Sequence, residues 1–550
     1  MRSFLVSAIL VGGLASSLVP PPTYAFGAPN QKAVERRLAA AACKLPHQFL
    51  LRTWRGWRAD RGPEIQMIAH EPNYVGSGLP HVGPWEYVQH VPMFWYGPGH
   101  VPAAGAVKRP VTAAGIAPTQ GALLDYPFPA LDGQVMREAV TKGATQPPKL
   151  LVTLVWDAGG MNVLEAHPRD WPFLRSLIDE GVWYENATVG SSPTSTAQIH
   201  TTIGTGDFPR NSGLIGHRLR IGPEITTPWA RGPAYIDQPT FADLYDRAHG
   251  NQPLVGLMST VAIHAGMLGH GSMWGGGDKD FAIFRQAVGG DTLTDETFQW
   301  NLPPALQSYF AFPAYVNQVP GFQAEVDAVD RKDGKLDGKW RTNDMAPLLN
   351  GFDTPARAPF QEKVTEEMVT REGFGEDEVP DLLFINHKII DYISHVWTMN
   401  SGEMKDAVQA EDAALEAFVA FLNQRVGRGE WAMLLTSDHG AIPKPSISGA
   451  FQISTSPIAA GINTNFDDDG DDTYVVDLVQ PTGIFINSDE LKQNGFTLAD
   501  VSEWVLSMTQ EQAKGLGVTV PASQRATEVF DAVFPSDMMA GLSCLPEARE

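Results

Sequence analysis

KLLVTLVW (149–156), PDLLFINH (380–387) and EWAMLLTS (430–437) leave this chain few folds to adopt. Each is a continuous apolar run bounded by turn residues, as expected for a strand buried on both faces of a parallel sheet. Helical patterns flank them. WPFLRSLIDEG follows the first, and AVQAEDAALEAFVAFLNQRV precedes the third. Such alternation predicts an α/β fold built on a doubly wound, mostly parallel sheet. Between 221 and 375 the texture shifts to Gly, Pro, Trp and charged residues with no comparable strand run, so this stretch reads as an inserted cap.

Polar, metal-capable side chains stand at or just past the C-terminal end of each run. They are Asp157 after the first, Asp391 and His395 after the second, and Asp438 and His439 after the third. In an open α/β sheet those ends share one edge, where ligands bind. Three carboxylates and two imidazoles are a donor set suited to zinc. Singly, each has a plainer reading: an Asp after a strand forms turns or caps helices, and an i,i+4 pair decorates a helix face. Recurrence over three strands favours a metal site.

SSPTSTAQIHTTIGTGDFP (191–209) adds a nucleophile candidate, Thr196, where small hydroxyl residues give way to a helix-compatible stretch. Free N–H groups and positive dipole potential at a helix start suit a phosphoryl group. A threonine hydroxyl is a weak nucleophile near neutral pH, and coordination to a dication would deprotonate it. From these residues alone, Ser195 or Thr196 as a simple helix cap stands beside that reading.

Residues 1–25 carry a lone Arg2, the apolar run FLVSAILVGGLASSL and a Thr-Tyr-Ala triplet ending at Ala25. Shorter than a membrane span, the segment has the proportions of a secretory signal peptide, with an uncleaved anchor as the alternative. No later stretch is apolar for long enough to span a bilayer. The expectation is a secreted or periplasmic protein without stable membrane insertion. A formal net charge of −23 argues against a nucleic-acid-binding surface. It permits an anionic substrate, because a local metal charge outweighs a distant negative surface. Cys43 and Cys544 are the two cysteines. By count alone they are either a disulfide or two unrelated thiols.

Asp157, PTSTAQIH, TGDFPRNSGLIGH, DYISH and TSDHG, in that order, resemble the motif set of type I phosphodiesterases and their alkaline phosphatase relatives. The resemblance covers roughly residues 147–220 and 380–440. It implies that Thr196 attacks phosphorus to give a phosphoryl-threonine that water then hydrolyses. It also implies two divalent ions, zinc above others. Asp157, Asp438 and His439 with Thr196 would hold one. Asp391, His395 and a further histidine would hold the other.

The family supplies that histidine after the SDHG motif, yet none follows His439. Upstream, IQMIAHEPNYVGSGLPHVGPWEYVQHVPMFWYGPG (65–99) resembles the family's C-terminal passage, and VTAAGIAPTQGALLDYPFPALDG (111–133) resembles its terminal helix. These similarities imply a circular permutation. Residues 26–146 would complete the core and bring His81 as the missing ligand; 147–220 would hold the nucleophile, 221–375 the cap, and 376–550 the remaining ligands. TLADVSEWVLSMTQEQ and ATEVFDAVF resemble what normally precedes the moved passage. Chain ends that meet in this way would pair Cys43 with Cys544.

His217 stands where the family has an asparagine that contacts the phosphoryl group; it either donates to a developing oxyanion or points away. His200 matches a histidine read as structural support. Arg218 and Arg220 are candidates to meet the extra charge of a monoester. In GMLGHGSMWGGGDKD (266–280), His270 is a candidate substrate contact, with Trp274 and Asp278 beside it; the alternative is a plain surface loop. NTNFDDDGDD (463–472) offers oxygen donors suited to Ca2+ but lacks the glutamate of an EF-hand, and a solvated acidic loop is the other reading. Together these imply an exported, metal-dependent hydrolase of small-molecule phosphate esters, leaning to diesters. A phosphomonoesterase and a catalytically silent extracellular binding protein are the alternatives. Oligomeric state is left open.

Overall fold

The computed structural model describes residues 31–549 except 144–145, 288–297, 347, 349–352 and 468–469. The expected signal peptide and two aspartates of the 463–472 run lie outside the described residues.

A nine-stranded sheet organises the chain. Its strands are β1 (Met93–Tyr96), β2 (Gly105–Val107), β3 (Leu150–Trp156), β4 (Val182–Tyr184), β5 (Val255–Met258), β6 (Phe281–Ala287), β7 (Phe298–Asn301), β8 (Asp381–His387) and β9 (Trp431–Thr436). Their spatial order is β7-β6-β5-β8-β3-β9-β1-β4-β2. From β6 to β9 all neighbours are parallel, with Leu150 of β3 opposite both Asp381 and Trp431. The three apolar runs are the adjacent centre of this sheet. Their side chains alternate between two cores. Val152, Leu154, Leu383, Ile385, Met433 and Leu435 enter one; Leu151, Val155, Leu382, Phe384, Ala432 and Leu434 enter the other. Burial on both faces is why the sequence lacks a two-residue period, and each such side chain stabilises by about 1.5–3 kcal/mol.

Helices α1 (Thr196–Thr205), α2 (Phe241–Ala248), α3 (Ile389–Trp397) and α4 (Gly402–Leu422) connect and cover the strands. The α4 start is set by Ser401, whose hydroxyl accepts from the Met404 N–H at 3.0 Å. Met404, Val408, Leu415 and Phe418 then form its buried stripe.

The N-terminal segment is built into this core. Its β1 lies antiparallel between β9 and β4, and its β2 forms the far edge. A second, antiparallel sheet of four strands joins Ile65–Ala69 to Val476–Gln480, Gly483–Ile486 and Phe530–Pro535. Helix Gln31–Ala42 packs Val34 and Leu38 against Phe534, Met539 and Leu542. Beside that contact Cys43 and Cys544 form a disulfide, with Cα atoms 5.7 Å apart.

One boundary needs correction. The stretch 221–375 is only partly an insertion, because β5, β6 and β7 belong to the main sheet. VGLM at β5 is a four-residue run, too short to read as a strand from sequence, and pairing with β6 and β8 makes it one. Among the described residues no helix is long and apolar enough to cross a membrane.

Candidate metal centre

The carboxyl ends of β3, β8 and β9 converge because the strands are adjacent and parallel. Asp157 directly follows β3, and Asp438 and His439 follow β9. Asp391 and His395 sit one turn apart on α3, so they share a face. Two loops must pass each other closely here. A Cβ on Gly160 would stand 2.5 Å from the Gly440 Cα, so the 157–160 loop needs glycine at that point. Ala158 adopts φ +59°, a strained left-handed conformation, and its N–H donates to Asp438 Oδ1 at 3.1 Å.

His81 enters from the N-terminal segment. Its Nε2 lies 3.2 Å from Asp391 Oδ1, and the Nε2 of His395 lies 3.3 Å from the same oxygen. The His81 ring also stacks on His439, with centroids 3.5 Å apart.

For every ligand candidate but His81, whose Nδ1 is buried without a hydrogen-bond partner, one atom is tied down while the other is presented. Asp157 Oδ2 accepts from His264 Nε2 (3.0 Å), Asn386 Nδ2 (3.2 Å) and Lys388 Nζ (2.9 Å). Asp438 Oδ1 accepts from Ala158, and Asp391 Oδ2 pairs with Lys388 Nζ at 2.8 Å. His439 Nδ1 donates to the Gly440 carbonyl at 3.0 Å, and His395 Nδ1 donates to the Gly78 carbonyl at 2.5 Å. Opposite these anchors, Asp157 Oδ1, Asp391 Oδ1, Asp438 Oδ2 and His439 Nε2 are buried with no hydrogen-bond partner. Such atoms cost free energy unless something meets them. The ligand atoms of Asp157, Asp438 and His439 lie within 4.8 Å of one another, as do those of His81, Asp391 and His439. Hard carboxylates with imidazoles aimed by backbone carbonyls fit dications.

The electrostatics agree with that purpose. Burial works against the Asp157 carboxylate, yet Lys388 and His264 hold it below the usual range. Asp391 is likewise held well below that range against burial, by Lys388 and His395. Burial opposes protonation of His439, but Asp438 and Asp157 raise it to about 9. His81 falls to about 4, through burial and then His439. Three carboxylates gather here around one ammonium and imidazoles that can coordinate a cation.

Thr196 is the first residue of α1 and is buried. Ser195 is the N-cap, and its hydroxyl donates to Gln198 Oε1 at 3.2 Å and accepts from no helix N–H. His200 Nδ1 donates to the Thr196 carbonyl at 2.8 Å, while its Nε2 accepts from Asn386 at 3.0 Å, a supporting role. Thr194 Oγ1 donates to the His81 carbonyl at 2.5 Å, which links the loop before Thr196 to His81.

Thr196, His217, Lys388, Asp391 and His395 line a cavity of about 360 Å³, walled further by Pro80, Val82, Ile263, Tyr392 and Pro481. His217 is open to solvent on one side. Crowding on the other, then Lys388 and His81, hold its imidazole below the ordinary pKa.

Three expected contacts are not brought to this cavity. Arg220 points to Asp477 (2.9 Å) and Glu64 (3.0 Å). Arg218 donates to the His217 carbonyl on the exposed side. His270 is buried, its ring spent on Asp243 (2.8 Å) and the Ile236 carbonyl (3.0 Å). Lys388, Asn386 and His264 are the functional neighbours the motifs missed. Asn386, His387 and Lys388 are polar residues ending an apolar strand, a readable signal. His264 lies in the stretch read as cap and gave none.

A family model described as type I phosphodiesterase / nucleotide pyrophosphatase matches residues 151–528. The chain is 24% identical over 340 residues to alkaline phosphatase PhoV of Synechococcus elongatus, covering 54% of this chain and 60% of that protein. A protein named calcium-transporting ATPase from Myroides odoratus is 23% identical over 340 residues, 54% of this chain and 61% of its own. Alkaline phosphatase PafA of Elizabethkingia meningoseptica is 30% identical over 101 residues, 18% of each chain. The chain thus spans about three fifths of the length of the two longer matches. The crystal structure of wild-type PafA superposes with a TM-score of 0.49 at 17% identity, over 71% of this chain and 85% of that one.

Proposed function

Because this chain belongs to the type I phosphodiesterase / nucleotide pyrophosphatase family, we propose that it hydrolyses phosphodiesters through Thr196 at a two-zinc centre. Membership makes it a phosphoric ester hydrolase of the alkaline phosphatase superfamily acting on small-molecule phosphate esters. The finer reading rests on one observation: four buried ligand atoms from three strand ends stand free of hydrogen bonds while their partner atoms are anchored. Asp157, Asp438 and His439 would hold one zinc, and Asp391, His395 and His81 the other. Two dications lower the pKa of a coordinated hydroxyl and steady oxygens that gain charge in an in-line displacement.

Thr196 Oγ1 forms the new P–O bond as the ester P–O bond breaks, and the threonine proton ends on the departing alcohol. Water then reverses the exchange, freeing the second product and restoring the hydroxyl. N–H groups at the start of α1 face the phosphoryl oxygens. His217, at the rim and biased toward the neutral form, can donate one further hydrogen bond.

The lean to diesters comes from the cavity walls. A monoester dianion wants additional cations. Yet no arginine lines this cavity among the described residues, and Lys388 is held by Asp157 and Asp391. Pro80, Val82, Ile263 and Pro481 suit the second ester group of a diester. A permuted connectivity belongs to this reading, since His81 and β1 come from the N-terminal segment. So does export, for which the 1–25 segment and the disulfide speak.

Acid-quenched protein, digested and analysed by mass spectrometry after mixing with bis-p-nitrophenyl phosphate, tests the covalent step. A phosphoester adduct on the Thr196 peptide is expected. Steady turnover with the adduct on another residue would overturn it.

A further inference from the structure

Away from this centre, α2 and the loop before β6 bring three aspartates together. Ligand atoms of Asp246, Asp278 and Asp280 lie within 4.8 Å of one another. Asp246 sits one turn after Asp243, whose own oxygens are spent on Thr240 and His270. Asp246 itself is 5% exposed, and its Oδ1 accepts no hydrogen bond. Its carboxylate lines a small cavity with Asp278, Asp280, Gly271, Gly277 and Trp274 that admits about one water-sized sphere. Backbone oxygen reaches the same place. A Cβ on Gly277 would stand 2.5 Å from the Gly271 carbonyl, so glycine keeps that carbonyl uncovered.

Arg247 also lines this cavity, but it forms no ion pair with these carboxylates among the described residues. Lys279, between two of the aspartates, turns its ammonium to the Gln307 carbonyl at 2.8 Å. Among the described residues no lysine or arginine ion-pairs with Asp246, Asp278 or Asp280. Burial, then repulsion from Asp278, pushes Asp246 up to about 7, and burial with Asp246 raises Asp280 well above the usual carboxylate range. Three acids of which two are buried, an unmet oxygen aimed into an ion-sized cavity and an uncovered carbonyl are a hard, all-oxygen donor set.

We propose that Asp246, Asp278 and Asp280 bind a structural calcium ion that ties the 271–280 loop to α2. Carboxylate and carbonyl donors without nitrogen or sulfur select calcium over zinc, and their irregular placement suits its flexible coordination better than the strict octahedron of magnesium. The ion would brace β5 and β6, the strands α2 precedes and the loop enters, without touching the reacting atoms.

The test uses zinc-saturated, calcium-stripped full-length protein, so that the catalytic ligands are already filled. Terbium(III) is added with excitation of tryptophan, because Trp274 lines the cavity. Saturable terbium emission displaced by calcium is expected, together with a rise of a few degrees in melting temperature on adding calcium. Asp278→Asn, at an exposed position that is safe for folding, should lose both responses while diester turnover stays within twofold. Trp274→Phe should lose most of the emission yet keep the thermal shift. Emission and thermal shift unchanged in Asp278→Asn and in Asp246→Asn would overturn the site. So would the absence of any calcium effect on the unmodified protein, which would leave a protonated carboxyl pair and no ion.

Discussion

At the residue scale, the candidate centre divides its ligand candidates, His81 excepted, into an anchored and a presented atom. Lys388 is the clearest anchor, because one ammonium holds the outer oxygens of Asp157 and Asp391 and so fixes both carboxylates at once. Thr196→Ala removes the proposed nucleophile and no anchor. It should cut turnover at least about 10³-fold while zinc content stays at two per chain, checked by kinetics beside metal analysis. His81→Ala should instead lower zinc content from two toward one and reduce turnover about 100-fold or more, since a ligand and not a positioning group is lost. The candidate aspartates, His395, His439 and Thr196 were legible because motifs of fixed spacing follow the strands or open a helix. The anchoring roles of Lys388, Asn386 and His264 were not: the polar end of an apolar strand marks Asn386 and Lys388, but which atom faces which is not encoded in spacing. Arg220 illustrates the converse: three residues after His217, it serves Glu64 and Asp477 beside another sheet.

At the element scale, β8 carries both halves of the centre's support. Its last residue, His387, lies between Glu411 (2.5 Å) and Glu362 (2.8 Å) beneath α4. Burial opposes its charge, but the two carboxylates raise its pKa to about 10. A histidine raised in the fold contributes stability that is complete below its unfolded value of about 6.5 and fades as pH climbs toward 10. Melting temperature should therefore fall between pH 7 and 10. His387→Gln should flatten that slope while costing about 3–5 kcal/mol near neutrality, because two buried carboxylates lose their cation. Melting curves across this range decide it; an equally steep fall in the variant would contradict the assignment. The three central strands were legible from composition because burial on both faces removes polar alternation. β5 and β6 were not. Their runs are short or polar, and partners supply what the segments lack, which is why 221–375 reads as insertion in sequence yet lends three strands to the sheet.

On the scale of the whole molecule, distant parts of the chain complete one another. Strands 65–69 and 530–535 pair in one sheet, β1 separates β9 from β4, and Cys43 bonds to Cys544 across 501 residues of sequence. Replacing both cysteines by serine should cost about 2–5 kcal/mol, read from denaturant unfolding, with zinc content unchanged. That the ends meet was legible only through the family resemblance and the permutation it implies for this chain, since no local signal links residue 43 to residue 544. The most direct test of the central claim compares hydrolysis of bis-p-nitrophenyl phosphate and p-nitrophenyl phosphate by zinc-loaded protein, with Thr196→Ala as the blank. Turnover that depends on Thr196 and favours the diester is the expected result. Undiminished turnover in Thr196→Ala would contradict the nucleophile, and a Thr196-dependent preference for the monoester would contradict the diester assignment.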